Sequence, residues 1–184
     1  MDNKQKEKPI NETRRKDRAV EDEEWLKSFL RSAPIGYLAT VNDEQPFINS
    51  NLFVYDETKH CVYMHTARYG RTRENVEKKQ KVCFSISEMG RLLPAEEALE
   101  FSVEYSGVVV FGVAEILTDN EEAKYALQIL LDKYAPHLQA GKDYREIQQD
   151  EIERTTVYKI SISQWSGKKK KVEDDFPGAY YYKK

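Results

Sequence analysis

Cysteine is scarce in this chain, with Cys61 and Cys83 the two among 184 residues. Both lie inside apolar, strand-like runs, so they read as reduced core thiols rather than as a disulfide framework. No apolar run approaches the ~20 residues a membrane-spanning helix needs. The opening MDNKQKEKP also lacks the apolar stretch of a signal peptide. A cytoplasmic protein with no membrane partner is expected. Neither GxxxxGK[ST] nor GxGxxG occurs, which sets aside the P-loop and the dinucleotide fingerprint. Three histidines and two cysteines fall at no zinc spacing, and there is no GxSxG nucleophile elbow. Charge of one sign is missing as well: 29 basic against 32 acidic residues leave a formal −3, with no global attraction to nucleic acid. A single-strand binder, suggested by a small barrel with aromatics and basic ends, is disfavoured by that total, and no nucleic-acid partner is expected.

What is present describes a folded domain. Forty per cent apolar and 33% charged residues over this length suit one domain with a modest helical appendage. Residues 1–19 are polar, charged and aperiodic, and read as a flexible basic arm. Residues 20–168 carry the periodic patterns of the domain, and 169–184 form a basic and aromatic tail. In the domain, Trp25, Leu26, Phe29 and Leu30 recur at helical spacing behind the acidic run Glu21 to Glu24, until Pro34 and Gly36 end the helix. Strand patterns follow at 36–41, 46–55 and 60–66, joined by short polar loops. Residues 71–79 are helix-compatible, 81–87 alternate Val82, Phe84 and Ile86, and 102–117 are a long β-branched run. Asp119-Asn120-Glu121-Glu122 has the form of a capping box ahead of an apolar stripe through Ala123, Ala126, Leu127, Leu130 and Tyr134. A sixth strand spans 155–165. Six strands in adjacent hairpins with helices around them, and no βαβ alternation, predict a mainly β fold: an antiparallel barrel with peripheral helices.

Four features carry possible chemistry. The first is the segment His65-Thr66-Ala67-Arg68-Tyr69-Gly70-Arg71-Thr72, between a strand end and a helix start. Free backbone N–H groups there, with the Arg71 guanidinium and the Thr72 hydroxyl, suit a phosphate; the plainer reading is a solvated loop whose arginines aid solubility. The second is Asn49-Ser50-Asn51 in the middle of an apolar strand. Period two puts Asn49 and Asn51 on one face with Phe47 and Phe53, either to match the edge of a flat heteroaromatic ring or to stand on a wet edge. Third, His65 is a proton donor or anion contact near neutral pH, or a satisfied structural histidine. Fourth, Trp165-Ser166-Gly167-Lys168 closes the last strand; the tryptophan either walls a pocket, with Lys168 near an anion, or ends the core before a solvated tail.

Taken in order, these motifs resemble the flavin-nucleotide-binding branch of the pyridoxamine 5'-phosphate oxidase-like split barrels, which includes 5-nitroimidazole reductases. The likeness runs from about Arg14 to Lys168. It rests on Arg14-Arg15-Lys16-Asp17-Arg18, Gly36-Tyr37-Leu38-Ala39-Thr40, Tyr63-Met64-His65-Thr66 through Gly70-Arg71-Thr72, Val82-Cys83-Phe84, Tyr105-Ser106-Gly107 through Gly112, and Trp165-Ser166-Gly167-Lys168. The resemblance implies a six-stranded split barrel and FMN at the interface of a homodimer. In it Arg71 and Thr72 would hold the phosphate, Asn49, Ser50, Asn51 and Thr66 would flank the ring, Ser106, Trp165 and Lys168 would lie near the site, and His65 would be a substrate contact. It further implies a flavin-dependent oxidoreductase acting on a small molecule with NAD(P)H as donor, the alternative being a flavin- or haem-binding protein without turnover. Two departures stand out. Thr72 replaces the family's second basic residue, with Arg73 one step later, and His65 and Thr66, adjacent in a strand, should face opposite sides.

Overall fold

The computed structural model describes residues 8–182. Its elements are β1 (Ala19–Val20), α1 (Glu23–Ser32), β2 (Gly36–Asn42), β3 (Gln45–Asn51), β4 (Phe53–Asp56), β5 (Cys61–Ala67), α2 (Arg71–Lys78), β6 (Lys81–Leu93), β7 (Ser102–Ile116), α3 (Asn120–Tyr134), α4 (Gln149–Glu153), β8 (Thr155–Lys170) and β9 (Tyr180–Tyr181). The mainly β, antiparallel expectation with peripheral helices holds.

Local chemistry explains most boundaries. The Asp22 carboxylate accepts from the Glu24 and Trp25 N–H groups at 2.9 and 3.3 Å, which starts α1. Leu26 and Leu30 then face inward one turn apart, and Pro34 follows the last turn. The β2–β3 turn is two residues, Asp43 and Glu44, both at positive φ, the handedness that suits the twist of a tight hairpin. Asp119 caps α3 by accepting from the Glu121 N–H at 2.9 Å. The expected capping box is only half formed. Instead of returning to the cap, the Glu122 carboxylate accepts from the Tyr63 hydroxyl at 2.6 Å and from Lys59 at 2.9 Å, and pairs with Lys159 at 3.1 Å.

The sheet runs β3-β2-β6-β7-β8-β5-β4, each pair antiparallel, with β1 added to β8 and β9 to β6. The expected single strand over 46–55 is broken at Leu52: β3 pairs with β2, whereas β4 pairs with β5 at the other end of the path. Because the two ends of the sheet are one residue apart in the chain, the sheet is rolled into a barrel. The ring therefore has seven strands rather than six. Inside it, Phe53 packs edge-on to Phe84 at 4.9 Å, among Leu38, Met64, Val108, Val110, Tyr158 and Ile160. Gly36 has no side chain because the Phe84 ring occupies the place of its Cβ. A second core lies outside the barrel, where Cys61, Tyr63 and Val157 meet Ala123, Ala126 and Leu130 of α3 and Ile152 of α4.

Both termini differ from expectation. Residues 1–7 lie outside the described residues, but 8–20 lie along β8 rather than free: Thr13 is buried, Asn11 donates to the Trp165 carbonyl at 3.2 Å, and β1 pairs with Lys168 and Gly167. The aperiodic pattern hid this because the segment is held by backbone and amide hydrogen bonds rather than by an apolar stripe. Likewise β8 continues to Lys170, and Tyr180 and Tyr181 join β6, so the described part of the tail is folded against the domain. No helix among the described residues is long and apolar enough to cross a membrane.

Candidate functional site

The loop from β5 into α2 has the local features of an anion cradle. Gly70, the residue before the helix, sits at φ +139°, a conformation that strains any residue with a Cβ, and supplies no side-chain cap. The first N–H groups of α2 are thus left without a side-chain partner, at the positive end of the helix. Arg71 stands exposed beside them. Among the described residues its guanidinium pairs with no carboxylate and lies 5.2 Å from the centre of the Phe47 ring, which restricts its swing. Thr72 is buried, and its Oγ1 accepts from Asn49 Nδ2 at 3.2 Å. Asn75, one turn further on, donates to Thr40 Oγ1 at 2.8 Å and fastens α2 over the β2 end of the barrel.

This geometry joins two features that sequence spacing kept apart. Phe47, Asn49 and Asn51 are half-buried on one face of β3, and that face meets the start of α2. Ser50 points the other way and is exposed. Thr66 is on the barrel side of β5, its hydroxyl 3.0 Å from the Tyr158 hydroxyl; His65 is on the opposite side, next to Val157. The expected opposition of these two residues holds. Tyr158 was not singled out from the sequence, because its nearness to Thr66 follows from the β5–β8 register, a pairing across 92 positions.

The arginines of the loop have separate duties. Arg68 donates to the Glu153 carbonyl, and Arg73 donates to the Arg68 carbonyl at 3.3 Å, to Thr156 Oγ1 at 3.2 Å and to Glu77 at 2.8 Å. Arg73 is therefore turned toward α2 and β8 and does not replace the basic residue that Thr72 displaces. His65 Nδ1 is buried and without a hydrogen-bond partner among the described residues, and burial lowers the imidazole pKa, so the ring is neutral at neutral pH.

Ser106, Trp165 and Lys168 lie away from Arg71 and are not all together, Trp165 facing Tyr55 and His60 while Ser106 and Lys168 line a groove with Ser85 and Val109. Thr156 of β8 stands beside Thr66, and Trp165 is nine positions further along the same strand, ~30 Å of extended chain. There the Trp165 ring meets His60 at 4.8 Å and Tyr55 at 6.4 Å. Lys168 lies opposite Gly107, and Ser106 opposite Lys169. Within one chain, these residues do not share a pocket with Arg71. Among the described residues the outer face of β2, β6 and β7 carries a groove lined by Ala39, Val41, Cys83, Phe111 and Val113, with Ile10 of the N-terminal segment beside them. Cys61 is buried and its thiol pushed up to about 11, whereas Cys83 is half-buried on this face.

Comparison with known proteins agrees with this architecture. Among solved structures the fold is similar to the flavocytochrome Anf3 of Azotobacter vinelandii (TM-score 0.75, 23% identity, 94% of this chain and 84% of that one). It is also similar to an FAD and heme binding protein of Mycobacterium smegmatis (TM-score 0.74, 20% identity, 84% and 74% covered). A third similar structure is a putative 5-nitroimidazole antibiotic resistance protein of Bacteroides thetaiotaomicron (TM-score 0.68, 21% identity, 82% and 85% covered). No curated protein matches the chain in sequence. The sequence profile of the pyridoxamine 5'-phosphate oxidase family matches residues 22–169, from the cap of α1 almost to the end of β8. The chain belongs to the pyridoxamine 5'-phosphate oxidase family.

Proposed function

We propose that this protein binds a flavin nucleotide, FMN in the first instance, and works as a homodimeric oxidoreductase on a small molecule in the cytoplasm. The observation that carries the reading is the start of α2: N–H groups without a side-chain cap, a guanidinium free of carboxylates, and a buried threonine held by Asn49, all at one point. A phosphate dianion there satisfies the helix N-terminus and the Arg71 charge together. A flavin bound in this way supplies hydride or electron transfer. The protein's own part is to anchor the phosphate through Arg71 and Thr72, to offer the Asn49 and Asn51 amides and the Thr66 hydroxyl to the ring edge, and to exclude water. His65 is the proposed substrate contact, set apart from the ring edge by its place on the side of β5 opposite Thr66 and by the burial of its Nδ1.

The homodimer part of the proposal is supported by the separation of Ser106 and Lys168 from Arg71 and by the groove on the outer face of β2, β6 and β7. A two-fold related copy seated on that face brings Ser106 and Lys168 of one protomer toward Arg71 of its partner, while Trp165 keeps its place against Tyr55 and His60. Two free cysteines suit a reducing compartment. NADH or NADPH is the proposed donor, and a nitroimidazole-type acceptor is one specific substrate class.

A second reading has its own observation. A histidine held neutral by burial, with no protein partner on Nδ1, is also the form of imidazole that ligates iron, and the flavocytochrome and the FAD and heme binding protein share this fold. The absorbance spectrum of the purified protein, before and after addition of FMN, FAD or haemin, tests both readings. Flavin bands are expected, and reduction by NADH or NADPH followed by reoxidation with an added acceptor marks an enzyme. A colourless protein whose spectrum responds to neither flavin overturns the flavin reading, and a Soret band that forms with haemin supports the second.

A further inference from the structure

We infer that Lys133 and Tyr134, in the last turn of α3, are positioning residues for the cofactor site: they clamp the two feet of the β2–β3 hairpin and so fix where its Asn49 and Asn51 amides stand. The inference rests on the flavin-binding reading and adds to it the residues that hold one wall of the site in place.

The place of the hairpin in the barrel explains why a clamp is needed. β3 and β4 are the two ends of the sheet, and among the described residues they do not pair with each other. β3 is therefore held along one edge, by β2, and β2 in turn pairs with β6 only from Tyr37 to Ala39. Toward the hairpin turn, α2 fastens β2 through the bond from Asn75 to Thr40. At the other end the last pair is Gly36 with Asn51, and just beyond it the chain enters through Ala33 and Pro34 and leaves through Phe53. These three residues are the feet. A small rotation there moves Phe47, Asn49 and Asn51 together, because all three share one face of β3.

α3 holds both feet at once. Lys133 Nζ donates to the Ala33 carbonyl at 2.8 Å and to the Phe53 carbonyl at 3.0 Å. The Tyr134 hydroxyl accepts from the Phe53 N–H at 3.1 Å and lies 2.9 Å from the Pro34 carbonyl and 3.0 Å from that of Phe53, to either of which it donates. At the seam of the barrel these two side chains stand where Phe53 has no neighbouring strand. The helix that carries them is firmly seated, with Asp119 capping its start and Ala123, Ala126 and Leu130 packed in the outer core. A lysine kept for solubility alone points outward. Lys133 is instead drawn in, 3.8 Å from the centre of the Phe53 ring, to reach segments 80 and 100 positions away. Burial brings its ammonium down to about 8, so at neutral pH it still directs a charge at the two carbonyls.

The test reads FMN affinity of the full chain alongside urea unfolding. Lys133→Met keeps an apolar stem and removes both bonds, and it is expected to weaken FMN binding about tenfold, as loss of charged hydrogen bonds implies. In a background of Asn49→Ala and Asn51→Ala the same change is expected to weaken binding by about twofold or less, since the clamp then has no amide to place. Leu130→Ala, one turn earlier and buried, is the control: it lowers the urea midpoint and leaves affinity within about twofold of wild type. Should Lys133→Met fail to fold, Tyr134→Phe carries the same cycle with a loss of about threefold. Wild-type affinity in both clamp variants, an undiminished loss in the background without the amides, or an equal loss in Leu130→Ala overturns the positioning role and leaves the flavin reading standing. A wild type that takes up no flavin overturns that reading and this inference with it.

Discussion

Arg71 and Arg73 are two positions apart on one helix and have opposite fates, which makes the pair informative. Arg73 is tied to Glu77, Thr156 and the Arg68 carbonyl, while among the described residues Arg71 meets the Phe47 ring and no carboxylate. Replacing Arg71 with alanine is expected to weaken flavin affinity by about ten- to a hundredfold, as loss of a charged hydrogen bond of ~1.5–3 kcal/mol implies. The same change should leave stability within about 0.5 kcal/mol, because the side chain is exposed. Cofactor titration and urea unfolding separate the two effects; a large stability loss with unchanged affinity contradicts the assignment. His65 makes a pH prediction. Burial lowers its folded-state pKa below the ordinary 6.5, so between those two values the unfolded chain binds more protons than the folded one. The stability from neutral His65 is present above pH 6.5 and is lost as pH falls through the lowered folded value. Urea midpoints of the wild type are expected to drop across that acid window more steeply than those of His65→Gln, and parallel curves would show that the ring is not buried in its neutral form.

At the scale of elements, the bulge between β7 and β8 is where sequence and geometry are most tightly bound. Register shifts at Phe111 and Gly112, and a Cβ on Gly112 would stand 2.3 Å from the Ser161 carbonyl oxygen, a backbone atom that cannot rotate away. Gly112→Ala is therefore expected to cost about 1–3 kcal/mol, read as a lowered denaturation midpoint. The elements most easily read from the sequence were those whose signal is local. The α3 stripe, the Asp22 and Asp119 caps and the alternation of Val82, Phe84 and Ile86 each involve residues within a few positions of one another. The break at Leu52 left no such signal, because β3 and β4 are separated by where their partners lie, not by their own residues. The folded arm and tail were missed for a related reason. Asn11, Arg91 and Glu104 act on chain 68 to 154 positions away through polar bonds that no periodicity reveals.

For the whole molecule, the open question posed by the fold is what covers the outer face of β2, β6 and β7. A charge in its middle is expected to disfavour any apolar association: Phe111→Lys should shift the protein toward monomer by size-exclusion chromatography with light scattering and lower its flavin content along with it. A dimer of undiminished strength would place the interface elsewhere. The sequence by itself determined the mainly β class, the extent of the family match and the neighbourhood of the loop proposed to hold a phosphate. Those rest on periodicity, caps and the order of short motifs, all carried by residues close in the chain. Only the tertiary structure decided that Asn49 holds Thr72, that Arg71 rather than Arg73 is free, and that Ser106, Trp165 and Lys168 stand apart from them. Register between strands distant in sequence is set by the joint packing of the barrel interior and the α3 face, so no single segment contains the information that brings these side chains together or keeps them separate.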